Sequence, residues 1–94
     1  MSNKIYIETE EYKDGGEGDF YAFALTGDTY EAKDIIKSNG FLFSDQVGHG
    51  KAWRTPIIFK RDFAPGNAHF ANTQTIVVNV RSALIAAGYE FYRR

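Results

Sequence analysis

Polar and apolar residues alternate over residues 4–8, with Ile5 and Ile7 on one side, which predicts a first strand. Residues 9–19 are acidic and carry Gly15, Gly16 and Gly18, the composition of a loop or a wide hairpin. Residues 20–26 are apolar on both sides, with Phe20, Ala22 and Ala24 against Tyr21, Phe23 and Leu25, as expected of a central strand. Gly27 ends that strand. Asp28 followed by Glu31 has the spacing of a capping box, and Ala32, Ile35, Ile36 and Asn39 share one face of a helix running to about Ser38. Asn39-Gly40 is a stop signal, and residues 41–43 form a short strand.

Residues 44–51 read as a loop and residues 52–60 as the next strand, with Trp53, Ile57 and Phe59 on one side. Pro56 cannot donate to a ladder, so this strand lies at an edge or carries a bulge. Residues 61–72 read as a long connection with a Pro65-Gly66 turn. Residues 73–87 pull two ways. Residues 75–80 have strand propensity, but Ile76, Val77, Val80, Leu84 and Ala87 recur at helical spacing and Gly88 follows as a stop, which predicts a helix. Residues 89–93 close the chain as a strand. The expected fold is one α+β domain over residues 1–94: an antiparallel sheet of four or five strands with two helices packed on one face.

Two segments echo each other. Residues 35–43 and residues 83–91 each combine a helix end, a glycine (Gly40, Gly88) and an aromatic-x-Phe sequence. A glycine at that point lets the chain fold back, and the aromatic residues then pack on the helix just completed. Residues 30–43 followed by Gly50-Lys51-Ala52-Trp53-Arg54 resemble a pattern of small phage and mobile-element domains, and the HARP-type domain attached to some DNA-remodelling ATPases. The resemblance covers about a quarter of the chain. It implies a module that accompanies nucleic-acid transactions.

Charge divides the chain. The net charge is −1, yet residues 1–34 hold nine carboxylates against three lysines, while residues 35–94 hold eight basic residues against three acidic ones. There are no cysteines, which excludes disulfides and thiolate metal sites and fits a reducing cytoplasm. No apolar run is long enough to span a membrane, and no secretion leader is legible at the start. His49 and His69 are too few for a metal site. Gly48-His49-Gly50-Lys51 lacks P-loop spacing, and residues 14–19 lack the ligand order of a calcium loop. Ser38, Ser44 and Ser82 have no accompanying base. No catalytic residue, metal or cofactor is expected.

Three surfaces remain. Glu10, Glu11, Asp14 and Glu17 form an acidic stretch suited to a basic partner. Lys51, Arg54, Lys60 and Arg61 form a basic set suited to phosphates, with Trp53 turned inward by alternation and the charges left outside. Val78 and Ile85 lie opposite the main stripe of the second helix and predict self-association, most simply as a symmetric homodimer. The expected function is a small, non-enzymatic, phage-type binding protein. It would inhibit or modulate a host protein or protein–nucleic-acid complex, in defence or gene expression, by occupying its surface. The alternative is a nucleic-acid-binding accessory module using the basic C-terminal two thirds.

Overall fold

The computed structural model describes residues 3–13, 19–45 and 49–94. Strand β1, Lys4–Tyr12, runs four residues further than alternation of apolar residues predicted, because β2 pairs with it along its whole length as far as Tyr12. It pairs antiparallel with β2, Phe20–Gly27, from Ile5 opposite Gly27 to Tyr12 opposite Phe20. The pairing puts Ile5, Ile7, Thr9 and Glu11 on one face with Tyr21, Phe23 and Leu25, here the core face. Tyr6, Glu8, Glu10 and Tyr12 lie on the outer face with Phe20, Ala22 and Ala24.

Asp28 does not cap a helix. Helix α1 is Lys33–Ser38, and its N-cap position, Ala32, makes no side-chain cap bond. Asp28 instead donates its N–H to the Lys4 carbonyl at 2.9 Å, and its carboxylate accepts from the Lys4 N–H at 3.0 Å, which lengthens the β1–β2 ladder. Strand β3, Leu42–Asp45, pairs antiparallel with β4, Lys51–Arg54. Strand β4 pairs antiparallel with β2, and so does β5, Ile58–Phe59.

Thr55, Pro56 and Ile57 carry the bulge that Pro56 demanded. Leu25 faces Trp53, whereas Tyr21 faces Ile58, so one extra residue has entered between β4 and β5. Thr55 spans the gap: its N–H donates to the Phe23 carbonyl at 3.0 Å, and its Oγ1 accepts from the Phe23 N–H at 3.0 Å. The extra residue flips the parity. Trp53 and Ile58 therefore share the core face, and Phe59 pairs with Phe20 on the outer one, so the expected side shared by Trp53, Ile57 and Phe59 does not form.

A 3₁₀ turn, Lys60–Asp62, leads to α2, Ala68–Ala86, which begins well before the expected residue 73. Asn67 is its N-cap, accepting from His69 and Phe70 N–H groups at 2.9 and 3.3 Å. His69 is thus an exposed first-turn residue of α2. Strand β6, Glu90–Arg93, pairs with β1 in parallel. The sheet is therefore mixed, in the order β3-β4-β2-β1-β6 with β5 beside β2, and only mostly antiparallel. The reason is directional: β5 runs with β1, α2 reverses the chain once, and β6 returns in the sense of β1.

The core cluster joins Ile5, Ile7, Phe23 and Leu25 with Ala32, Ile36, Phe41, Val80 and Leu84. Trp53 packs against this cluster but is only partly buried, not fully interior as alternation implied. Among the described residues, no helix is long and apolar enough to cross a membrane.

The two echoing segments are the same helix stop built twice. Phe41 N–H donates to Ile36 O and Gly40 N–H to Lys37 O; Tyr89 N–H donates to Leu84 O and Gly88 N–H to Ile85 O. Both glycines hold positive φ, 98° and 96°. At Gly88 an added Cβ meets nothing, so Gly88→Ala isolates the backbone strain and should cost about 1–2 kcal/mol. At Gly40 the added atom would sit 3.4 Å from Ile76, so Gly40→Val should cost more. Urea unfolding of the two variants checks both; parental stability in either contradicts the assignment.

Candidate functional site

The outer face holds a buried ion pair that crosses a strand. Arg54 lies on β4 opposite Ala24, and Glu10 lies on β1 opposite Ala22. Because β2 stands between β4 and β1, the side chains must reach over it, a span of about 10 Å between outer strands. Alanine at 22 and 24, both essentially fully buried, leaves the height for them. Arg54 Nε donates to Glu10 Oε1 at 2.6 Å and Nη2 to Oε2 at 3.3 Å. Nη1 donates to the carbonyls of Ser44 and, at 2.7 Å, Gly50, while Nη2 reaches the His49 carbonyl at 3.5 Å. These contacts occupy all five guanidinium donors.

Tyr12 hydroxyl also donates to Glu10. His49 Nδ1 lies 3.4 Å from Glu10 Oε2, and its ring meets the Tyr12 ring edge-on at 4.8 Å. Burial works to raise the Glu10 carboxyl, but hydrogen bonds from Arg54 and Tyr12 and the charges of Arg54 and His49 outweigh it, leaving it below its ordinary value. Burial and the hydrogen bond to Glu10 push the Tyr12 phenol up to about 12. The set keeps Glu10 ionised and fixes Arg54 against the ends of the β3–β4 hairpin.

This arrangement redistributes the residues singled out by sequence. Glu10 and Arg54, expected on two opposed charged surfaces, neutralise each other. Arg54 is 3% exposed, so it is not among the charges left outside. Glu11 is exposed on the core face, and Asp14 and Glu17 lie outside the described residues. Lys51, Lys60 and Arg61 are exposed, but Lys51 and Lys60 stand at opposite ends of the β4–β5 run, on the order of 25–30 Å apart. They do not form one patch. Val78 and Ile85 are 59% and 46% exposed on α2. Among the described residues, no three of His, Cys, Asp and Glu gather as metal ligands would.

A second feature lies on the core face, where the first half of α2 passes the later part of β1. A cleft of about 510 Å³ opens there. Buried or half-buried Phe23, Phe63, Phe70 and Val77 line it, together with exposed Thr9, Gln74, Val78, Arg93 and Arg94. Phe63 organises the apolar wall, with ring centroids 4.5 Å from Tyr21, 6.1 Å from Phe23 and 4.7 Å from Phe70. Arg93 is paired in register with Ile7, so it sits on the core face, and among the described residues it has no ion-pair partner. The volume falls within the range of ligand clefts, and the lining combines an apolar wall with a few polar groups. Sequence reasoning missed Phe63 and Phe70, which fell in a stretch with no periodicity. The signal available was Asn67, a good N-cap placed to start α2 at Ala68.

Glu10→Gln should cost about 3–5 kcal/mol, since it leaves a buried guanidinium without its counter-charge. Ala24→Leu should cost about 1–3 kcal/mol by filling the space the bridge crosses. Because the folded carboxyl lies below its ordinary value of 4.5, its stabilisation is present above that value and is lost as pH falls through the folded value. Urea midpoints of the parent should therefore fall below about pH 4.5, with a shallower fall in Glu10→Gln. Equal slopes would contradict the pairing. Comparison with protein-family models, curated proteins and solved structures finds no match to this chain, so a functional reading rests on the bridge and the cleft themselves.

Proposed function

We propose that this chain is a small, non-enzymatic binding protein of phage type, working in the cytoplasm, that modulates a host macromolecular machine by occupying its surface. In this reading both helices lie over the core face, and the cleft beside α2 holds the partner. The cleft carries the reading: an aromatic wall and Arg93, which has no ion-pair partner among the described residues, converge in a space of about 510 Å³. The outer-face cluster supports it by contrast, because its polar groups are spent on one another and on the hairpin.

A photo-crosslinking amino acid placed at Val78, on the cleft, and separately at Tyr30, exposed and away from it, tests the reading in bacterial lysate. One protein enriched from the Val78 site and absent from the Tyr30 site is expected. The same captured set at both sites would overturn it.

One observation favours the nucleic-acid reading. Phe43 is 56% exposed and packs on Trp53, with ring centroids 5.2 Å apart, and Lys51 shares their face. Aromatic rings beside a cation suit single-stranded bases. Asp45 opposite Lys51 weakens that patch, so no gel shift with single-stranded DNA or RNA is expected at low salt. Binding that weakens steeply with added salt would reverse the order of the two readings.

The exposed pair Val78 and Ile85 supports self-association through α2, because two branched side chains left in water forgo roughly 1.5–3 kcal/mol each. Lysine at both positions should give a folded monomer, and sedimentation of the parent at micromolar concentration should show a dimer. A monomeric parent would remove the second copy.

A further inference from the structure

We propose that the open edge of β1 beside the cleft accepts an extended segment of a partner protein as an added strand, which drops an apolar side chain into the cleft and sets a carboxylate against Arg93. The inference rests on the cleft reading and names its occupant.

The hydrogen-bond phase of β1 supplies the first argument. Asp28 N–H donates to Lys4 O, so even-numbered residues of β1 turn their backbone groups toward β2. Odd-numbered residues turn theirs away: Asn3 O accepts from Glu90 N–H at 2.9 Å, and Ile7 O accepts from Arg94 N–H at 2.8 Å. Strand β6 faces β1 only over residues 4–7. Thr9 and Glu11 therefore direct their N–H and C=O groups to a side where, among the described residues, no strand follows. Thr9 also lines the cleft, so a strand laid along this edge sends every second side chain toward Phe63 and Phe70.

Charge supplies the second argument and gives a direction. Arg93 stands at the β6 end of this edge without an ion-pair partner among the described residues. Glu11, exposed and in register with Tyr21, stands at the other end. Arg94 also lines the cleft, but its guanidinium is engaged 4.1 Å over the Tyr6 ring, which leaves Arg93 as the freer cation. The edge thus fits a segment with its carboxylate at the Arg93 end, an apolar residue opposite Thr9 and no acid near Glu11. An apolar acid without a peptide backbone would use the cleft and Arg93 but leave the Thr9 and Glu11 amides untouched.

The test pans a random linear heptapeptide library against the immobilised chain and measures the selected peptides by NMR. Selected peptides should place Asp or Glu two residues from an aromatic or aliphatic residue, and bound peptide should slow amide exchange at Thr9 and Glu11. The free acid and the amide of each peptide separate a side-chain carboxylate from a terminal one. Thr9→Pro removes only an outward N–H, which an edge tolerates, and should weaken binding about tenfold. N-methylation of the peptide opposite Thr9 gives the same readout without altering the protein. Arg93→Gln should erase the preference for acidic over amide counterparts.

Peptides that shift Phe63 and Phe70 but ignore both Thr9→Pro and N-methylation would overturn strand addition and leave the cleft reading standing. Peptides indifferent to Arg93→Gln would overturn the carboxylate assignment. A selection yielding no peptide that perturbs Phe63 or Phe70 would overturn the inference and the cleft reading together.

Discussion

The Glu10–Arg54 bridge sets what the outer face can be. An ion pair removed from water contributes only if its charges and remaining donors are all met. Here they are: the carboxylate takes Arg54 and Tyr12, and the guanidinium uses its other donors on carbonyls of the β3–β4 hairpin. The bridge therefore ties together three strands and a hairpin that alternation alone would leave independent. It also explains why the middle of β2 carries alanine on that face. Larger residues at 22 and 24 would stabilise a strand in isolation, but they would part the two side chains that must meet above it.

The bulge at Thr55, Pro56 and Ile57 is the second constraint, and it acts on the opposite face. Without the extra residue, Phe59 would fall on the core face and Ile58 would point outward. With it, Ile58 enters the interior and the chain leaves β5 toward the 3₁₀ turn, from which Phe63 comes back against Tyr21 and Phe23. The aromatic wall of the cleft thus depends on a register shift forced by a proline without an N–H, with Thr55 supplying the hydrogen bonds the ladder would otherwise lose.

Elements whose cause is local were legible in the sequence. Gly40 and Gly88 announced two helix stops because few residues but glycine hold positive φ there, and the stripe from Ile76 to Leu84 outweighed the strand propensity of residues 75–80. Features whose cause is distant were not legible. Asp28 and Glu31 match a capping box, but the partner that claims the Asp28 carboxylate is the Lys4 N–H of another strand. Alternation placed Arg54 opposite Trp53 in direction, yet it carries no information on whether a carboxylate 44 positions away can reach across an intervening strand. The cleft was hidden for a related reason. Phe63 and Phe70 belong to no repeating pattern until the bulge and the Asn67 cap bring them together.

These constraints separate the two faces by what they have left to offer. Charge, the most conspicuous property of the sequence, is largely inward-directed at its strongest point, since the one guanidinium buried in the sheet has no donor to spare. What remains outward near the cleft is apolar wall, backbone edge and a few polar side chains, Arg93 and Arg94 among them. Such a site gains from each backbone hydrogen bond only about 0.5–1.5 kcal/mol net, and from one buried apolar side chain roughly 1.5–3 kcal/mol. Ordering an extended segment offsets much of that gain. A partner held there alone would exchange readily. Durable occupation of a surface then requires further contact along α2, where Val78 continues the cleft and Ile85 lies two turns on. On the proposed function, the exposed side of α2 and the cleft would be two parts of one contact surface.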